Sequence, residues 1–525
     1  MQIIENKALL LTTKKHAQIA ALIPKSKVLA TKGELGKVLV NWGLDEAHIL
    51  RNLSIKDVPN PILRDYNWPG VYAPFAHQKE TAAFLATYPR CFVFNEAGTG
   101  KTSAAAWAAD YLMTQGKVRR VLIIGPVSIL ETAWRSDLFK TVMHRTAAVA
   151  IGERKKRIQI LNQNTEFVII NFDGIKVVYE ELAKGGFDLI IVDEANAVKS
   201  VSTDRWKALN KLITPQTRLW LMTGTPAAQS PVDAYGLARL VNPAAVPKFQ
   251  GAFRDMVMLK VTQFKYVPRE GHREIVHKAL QPAIRFTKEQ CLDLPDMLYT
   301  TRHVPLTSQQ QKYYDTITKQ MMAIAGGEEI TAQNAAAKLN KLLQISSGAA
   351  YTDTKEIVEF DIKDRFDELM SIIEGTTHKV IVFVNYRHTN QMLMDKLSVP
   401  LAGLGTYAEA IHGGTPASQR GDIIKRFQTE DNPRVLLLAP AAAGHGITLT
   451  KADTVVWWGP VTSTELYLQA NARAHRAGQA NKVTVVHLQG SPVERRMYKM
   501  LQDKIDIHHH LVELYKEEIN SIDTV

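Results

Sequence analysis

Two series of short apolar runs constrain this chain more than any other feature. The first series is Cys91–Phe94, Val121–Ile124, Phe167–Asn171, Leu189–Val192 and Leu219–Thr223. The second is Val380–Val384, Glu409–Ile411, Val435–Leu438, Val455–Trp458 and Val483–Leu488. The runs are mostly continuous and β-branched, and longer helical patterns separate them. Continuous apolar strands alternating with helices imply parallel sheets buried on both faces. Two series imply two α/β domains, each a twisted sheet with helices on both sides. A chain of 525 residues also exceeds what one hydrophobic core supports. In such sheets ligands bind at the carboxyl ends of the strands.

Composition sets the surroundings. Cys91 and Cys291 are the two cysteines, so no disulfide framework is available, which fits a reducing compartment. The start lacks a signal-peptide layout and no apolar run approaches the length of about 18 residues that spans a bilayer. The expectation is a soluble protein of the cytoplasm, nucleoid-associated in a bacterium or in the host cytoplasm for a virus, with no membrane partner. Lysines and arginines number 64 against 52 acids, a net charge of +12 whose sign suits a polyanion. A generically basic surface would give the same sum.

Outside the two series the chain changes character. Residues 1–69 are mixed, with scattered lysines and a Pro-containing end, and read as a small accessory domain and linker. Residues 244–290 hold nine Lys/Arg against four Asp/Glu, interleaved with Phe249, Phe253, Phe264, Tyr266 and Phe286. Lys260, Lys265, Arg269 and Arg273 make this stretch a candidate phosphate-contacting insertion; a helical hairpin with solvated charges is the alternative. Residues 305–375 read as helical, most clearly over Gln309–Met322 and Ala332–Leu343. Lys504–Glu518 reads as a terminal helix whose His508–His510 run is solvated surface.

The chemistry sits after the first run. Phe92–Phe94 leads into Asn95-Glu96-Ala97-Gly98-Thr99-Gly100-Lys101-Thr102 and then an Ala-rich segment, an order that reads as strand, phosphate loop and helix. Backbone N–H groups and a helix N-terminus there cradle triphosphate oxygens. Lys101 is placed for the β/γ-phosphates and Thr102 for Mg²⁺. The strict pattern has Gly at the first position, where this chain has Asn95. The run Asp188–Val192 then delivers the paired carboxylates Asp193 and Glu194 to a strand end. Asp193 suits the Mg²⁺ and Glu194 the attacking water. In the second series, Gln469-Ala-Asn-Ala-Arg473-Ala-His-Arg476 places two arginines three residues apart, on one face of an expected helix. Their planar, permanently charged forks suit a γ-phosphate.

The order of motifs resembles superfamily-two helicases, and among them the Swi/Snf-type DNA translocases in a compact bacterial or viral form. Phe75-Ala-His-Gln78 is similar to the family's adenine-reading glutamine motif, and Asn95–Thr102 to its phosphate loop, in which the first position is not Gly. The segment Gly125–Trp134 resembles motif Ia, Ile169–Asp173 motif Ib, Asp193–Ser200 motif II, and Leu221–Pro226 motif III. Ala283–Lys288, Leu294-Pro295, Gln311 and Tyr314 resemble the Swi/Snf insertion. Ile411–Thr415 with Arg420–Phe427, then Ala443–Leu449, and finally Gln469–Gln479 resemble the segments through motif VI. The resemblance covers roughly residues 70–500. The chain departs from it at Asn196, where His is usual, at Ala443 and Thr448, and at Thr462-Ser463-Thr464, where Trp-Asn-Pro is usual.

The resemblance implies two RecA-like parallel-sheet domains with helical insertions. The expected division is an accessory domain at 1–69, lobe 1 at 70–243, insertions at 244–365, lobe 2 at 366–500 and a terminal helix at 501–525. It implies ATP and Mg²⁺ as cofactors and DNA, whether duplex, forked or single-stranded, as partner. Gln78 and Glu96–Thr102 would bind ATP; Thr223, Gly224, Thr225, Gly444, Gly446 and Gln469 would couple nucleotide to track; Ser128, Asn171 and Asn385 would touch DNA. The expected activity is an ATPase that moves along or remodels DNA in replication, recombination or repair. An RNA-dependent helicase and a nucleotide-gated DNA clamp with little hydrolysis are the alternatives.

Overall fold

A computed structural model describes residues 1–224, 230–261, 266–291, 297–325, 332–351, 356–443, 447–476 and 478–503. The chain divides into two compact units, Met1–Cys291 and Leu292–Val525.

The first unit opens with four short antiparallel strands, β1 Gln2–Ile4, β2 Ala8–Thr13, β3 Lys27–Lys32 and β4 Leu35–Asn41, in the order β1-β2-β4-β3. The helix His16–Leu22 covers one face, where Ile19 packs with Leu9, Leu11, Val38 and Val40. Polar clamps fix this sheet to the rest of the first unit. The Arg64 guanidinium donates to the carbonyls of Asn6 and Trp42 and lies over the Trp42 ring. Asn60 donates to Ala83 O and Thr87, and Lys117 pairs with Asp45.

Next come β5 Arg90–Val93, β6 Val121–Gly125, β7 Ala147–Ala150, β8 Phe167–Asn171, β9 Leu189–Asp193 and β10 Arg218–Met222. After a small hairpin of β11 Met258–Lys260 and β12 Tyr266–Pro268, the two-residue β13 Ala283–Ile284 completes an all-parallel seven-stranded sheet. Its order is β13-β5-β10-β9-β6-β8-β7. Period-2 alternation splits the strand residues between two cores. Cys91, Val93, Ile123, Ile169, Ile191, Trp220 and Met222 pack against the helices Ala76–Thr87 and Lys101–Thr114. Phe92, Phe94, Ile124, Ile170, Val192 and Leu221 pack against Asp204–Leu212 and Ala234–Val241. Both faces are therefore apolar, which is why these strands read as unbroken hydrophobic runs.

The second unit repeats the plan. Its sheet contains β14 Met297–His303, β17 Lys379–Phe383, β18 Ala408–Ile411, β19 Val435–Leu438, β20 Ala452–Trp457 and β21 Val483–Gln489, all parallel, in the order β14-β21-β20-β17-β19-β18. A separate hairpin, β15 Ala349–Tyr351 and β16 Ile357–Glu359, comes after the helices Ser308–Ala325 and Ala332–Ser346. The buried Arg365–Glu494 pair joins the helix Lys363–Glu374 to the helix Pro492–Gln502. Arg365 also donates to the carbonyls of Ser346 and Leu488, so the charge is enclosed by acceptors.

Both sheets gain an edge strand from the stretch expected to be insertion. β13 pairs with β5, and β14 pairs along its whole length with β21. The expected terminal helix and its histidine run lie outside the described residues.

Candidate active site

The phosphate loop runs from the end of β5 into the helix Lys101–Thr114. That helix forms on a run of alanines, the strongest helix formers, and their small side chains seat it closely on the sheet. Gly98 and Gly100 have φ of 91° and 79°, conformations that only glycine adopts without strain. A Cβ on Gly100 would also collide with the Gln78 side-chain nitrogen. Gly100 caps the helix and no side chain does, so its first-turn N–H groups keep the character of an anion site.

Asn95 explains why the first position is not glycine. It is 1% exposed. Its Nδ2 donates to Thr81 Oγ1 at 2.9 Å, and its Oδ1 accepts the Phe286 N–H at 3.0 Å. Glu96 N donates to Phe286 O at 3.0 Å, and Lys288 N donates to the Glu96 carboxylate. One end of the loop is thereby held between the helix Ala76–Thr87 and the segment leaving β13. Lys101 Nζ donates to Asn95 O at 2.8 Å, so its ammonium lies within the loop. Thr99 Oγ1 donates to Glu96 O, and Gln78 donates to Thr99 O while accepting from the Phe75 N–H. Gln78 thus caps its own helix and braces the loop.

β10 lies between β5 and β9, with Met222 opposite Val93 on one side and Asp193 on the other. Two strand spacings therefore separate the start of the loop from Asp193, about 10 Å. Thr223 N donates to Val93 O at 3.0 Å, and Gly224 sits against the Asn95–Ala97 backbone, where a Cβ would stand 3.5 Å from Ala97 N. Lys101, Thr102, Asp193, Glu194, Thr223 and Gly224 thus gather at the carboxyl edge of three adjacent strands.

The Asp193 carboxylate is held from both oxygens. Oδ2 accepts the Trp134 indole N–H at 2.9 Å and Oδ1 accepts the Glu194 N–H at 3.0 Å. Trp134 is fully buried and sits in a π-helical turn, Leu130–Arg135, a bulge that rotates one side chain out of α-helical register. The Asp193 carboxylate and the Thr102 hydroxyl are both hard oxygen donors, the donor type that suits Mg²⁺. Glu194 has φ of 52°, a left-handed conformation costing about 1–2 kcal/mol for a side chain of this kind. Lys199, which trails the carboxylates, pairs with Asp233 at 3.0 Å and ties this turn to the turn Pro231–Asp233.

The remaining expected residues fall in several places. Asn171 is buried and its Oδ1 accepts from Arg157, so its side chain turns inward. Asn385 donates to the carbonyls of Gly459 and Pro460 within the second unit. Lys260, Arg269 and Arg273 are exposed on the hairpin and at the start of the helix His272–Ala279. Of the aromatics beside them, Phe253 is core and Phe286 tilts onto His77. Ser128 lies in the turn Val127–Ile129. Thr225, Lys265, Gly444 and Gly446 lie outside the described residues.

One expectation is corrected. Arg473 and Arg476 do not share a helical face, because the helix Thr464–Asn471 stops before them. Gln479 folds the chain into turns by donating to Ala452 O and Ala474 O. Arg473 is buried, whereas Arg476 is partly exposed and donates to Ile447 O. Gln469 remains on the helix and donates to Glu465.

Other chemistries find little footing. Burial pushes the Cys91 thiol well up, and burial with Glu80 and Glu96 nearby raises that of Cys291, so neither favours a thiolate. Among the described residues no group of three or more His, Cys, Asp and Glu could hold a metal, and no helix is long and apolar enough to cross a membrane.

Comparison with known proteins matches residues 77–349 to the SNF2-related domain and residues 364–478 to the helicase conserved C-terminal domain. An uncharacterized ATP-dependent helicase of Mycoplasma genitalium is 25% identical over 79% of this chain and 39% of its own length. The chromodomain-helicase-DNA-binding protein 1-like of Danio rerio is 26% identical over 93% of this chain and 46% of itself. A SWI/SNF-related matrix-associated actin-dependent regulator of chromatin subfamily A-like protein 1 homolog of Caenorhabditis elegans is 26% identical over 82% and 61%. The chain therefore spans from two fifths to three fifths of these relatives. Among solved structures, the Sulfolobus solfataricus SWI2/SNF2 ATPase core in complex with dsDNA aligns with a TM-score of 0.42 and 20% identity, over 86% of this chain and 97% of that one.

Proposed function

Because this chain belongs to the SNF2-related family, we propose that it is a DNA-dependent ATPase that translocates along or remodels DNA. The observation that carries the reading is the convergence of Lys101, Thr102, Asp193, Glu194 and Thr223-Gly224 at the ends of β5, β9 and β10.

Each residue has a task there. Lys101 exchanges the carbonyls of Asn95 and Glu96 for β/γ-phosphate oxygens, joined by the uncapped N–H groups of its helix. Thr102 and Asp193 would hold Mg²⁺, which neutralises phosphate charge when bound. Trp134 keeps the Asp193 carboxylate from rotating. Glu194, its direction set by the strained backbone, orients the attacking water. Gly224, packed on the loop backbone, passes a change at the phosphates into the segment after β10, which is how hydrolysis is coupled to the track.

DNA as the track is supported by the DNA-binding relative, by the net charge of +12 and by the exposed Lys260, Arg269 and Arg273. Steady-state ATP turnover at matched salt with no nucleic acid, single-stranded, duplex and forked DNA, and RNA tests the proposal. Duplex or forked DNA should stimulate turnover, and Lys101→Ala should abolish it. Stimulation by RNA alone, or turnover surviving Lys101→Ala, would overturn it.

A further inference from the structure

The lysines scattered through the first 42 residues acquire an arrangement in the fold. This segment holds seven lysines and two glutamates, a net +5 of the chain's +12 in a twelfth of its length. The four strands contain three lysines, Lys27, Lys32 and Lys37, and no Asp or Glu.

Register puts all three on one face. Lys27 lies opposite Leu39 and Lys32 opposite Leu35, while Lys37 sits between those leucines on β4. Leu35, Lys37 and Leu39 alternate with Val38 and Val40, which are fully buried beneath the helix His16–Leu22. The lysine face is therefore the one turned away from that helix. Positions 27 and 32 differ by an odd number, so a regular strand would send them to opposite faces. A register shift between Val28 and Ala30 restores them to the same side. Lys27 and Lys32 become the two diagonal neighbours of Lys37, each about 7–8 Å away or a little less between Cβ atoms.

All three are exposed. Glu34, the carboxylate of the β3–β4 turn, is engaged by Lys14. Solvated sheet faces ordinarily mix charges of both signs. This one carries cations only, at a spacing set by a bulge. Its other members are Gln2, Ile4, Ala8, Leu10, Thr12, Ala30 and Asn41 with the two leucines, none aromatic, so it offers no platform on which bases could stack.

We infer that this face is a second nucleic-acid contact surface that grips the phosphates of duplex DNA without reading sequence. The inference rests on DNA being the track proposed above. Arg64 bonds the sheet segment, and Asn60 and Lys117 tie the stretch after it to the rest of the first unit, so a duplex bound here is placed relative to the phosphate loop.

The test compares the full chain with two triple variants of equal charge change. One is Lys27→Gln/Lys32→Gln/Lys37→Gln; the other is Lys184→Gln/Lys207→Gln/Lys396→Gln, at exposed sites elsewhere. Affinity for a fluorescent duplex is measured across a salt series by anisotropy, with thermal unfolding and nucleic-acid-free ATP turnover as checks on folding. The sheet variant should flatten the slope of log affinity against log salt by about 2–3, near 0.9 for each phosphate no longer neutralised. The other triple should leave the slope close to wild type. Equal slopes for the two variants overturn the inference. Loss of binding to phosphatidylserine vesicles or polyglutamate with duplex binding intact overturns it in favour of another polyanion. Failure of the wild-type chain to bind duplex removes both this surface and the DNA track, a result distinct from loss in the sheet variant alone.

Discussion

Replacing Asn95 by glycine brings the loop to the strict phosphate-loop pattern, and the structure says the change does harm. Asn95→Gly removes two hydrogen bonds at a 1% exposed position, to Thr81 Oγ1 and from Phe286 N. Each contributes about 0.5–1.5 kcal/mol net, and glycine adds about 0.5–1 kcal/mol of backbone entropy to the unfolded chain. The sum, about 1.5–4 kcal/mol, corresponds to a fall of roughly 2–7 °C in the midpoint of a unit of this size, Met1–Cys291. Calorimetry of the whole chain with and without ATP is the assay, the transition raised by nucleotide being that of the first unit. Asn95→Ala, which loses the same bonds but keeps a restricted backbone, should recover the entropic part. Nucleotide affinity should weaken too, since the loop's first residues lose one of their links to the segment leaving β13. A glycine variant as stable as wild type would refute the assignment of Asn95 as the anchor, and would mean that the two bonds merely replace equally good ones to water.

Three further outcomes are expected at the site and in the second core. Glu194→Gln should keep ATP affinity and lose hydrolysis; a loss of binding instead would show that Glu194 supports the loop rather than the water. Trp134→Phe keeps the ring and removes the N–H held by Asp193, so the affinity gain that Mg²⁺ gives a fluorescent nucleotide should shrink on the order of 10-fold, with Mg²⁺-free binding unchanged; an undiminished gain would leave Trp134 as packing alone. His487 is fully buried, hydrogen-bonded to the Tyr467 hydroxyl and stacked on Tyr498, and burial lowers its pKa to about 4. The unfolded chain takes up that proton near pH 6.5 and the folded one only near pH 4, so the second unit should lose up to about 3 kcal/mol as pH falls through that window. His487→Phe should flatten this part of the stability profile, and an unchanged profile would assign the loss to carboxylates.

What could be read from the sequence depends on burial. Strands such as Ile190–Val192 and Val380–Val382 are covered on both faces, so they leave continuous apolar runs that need no context. β7 is Ala-Ala-Val-Ala, β13 has two residues, and β14, Met-Leu-Tyr-Thr-Thr-Arg-His, is largely exposed along its length. Such edges carry too little apolar signal, and β13 and β14 are recruited by partners distant in sequence. Lys101, Asp193 and Glu194 were legible because phosphate and carboxylate chemistry demands those residue types at strand ends. The roles of Trp134, Thr81 and Phe286 were not, since they act through single hydrogen bonds of a kind that ordinary core residues also make. The spacing of Arg473 and Arg476 fits a helix, but Gln479 pulls the backbone into turns before that periodicity can apply. The three sheet lysines were hidden by a single bulge that reverses the parity on which face assignment depends.

The pairing of β13 with β5 also sets an order in time. Asn95 and Phe286 are 191 positions apart. At about 5–20 residues per second, a ribosome needs roughly 10–40 s to make the stretch between them. Throughout that interval the emerging chain carries every residue of the phosphate loop, while one edge of β5 lies open and Asn95 lacks its second partner. The loop is thus synthesised in the first half of the unit yet is among the last parts to be completed, and a chain stopped short of Phe286 would bear the motif without its anchor.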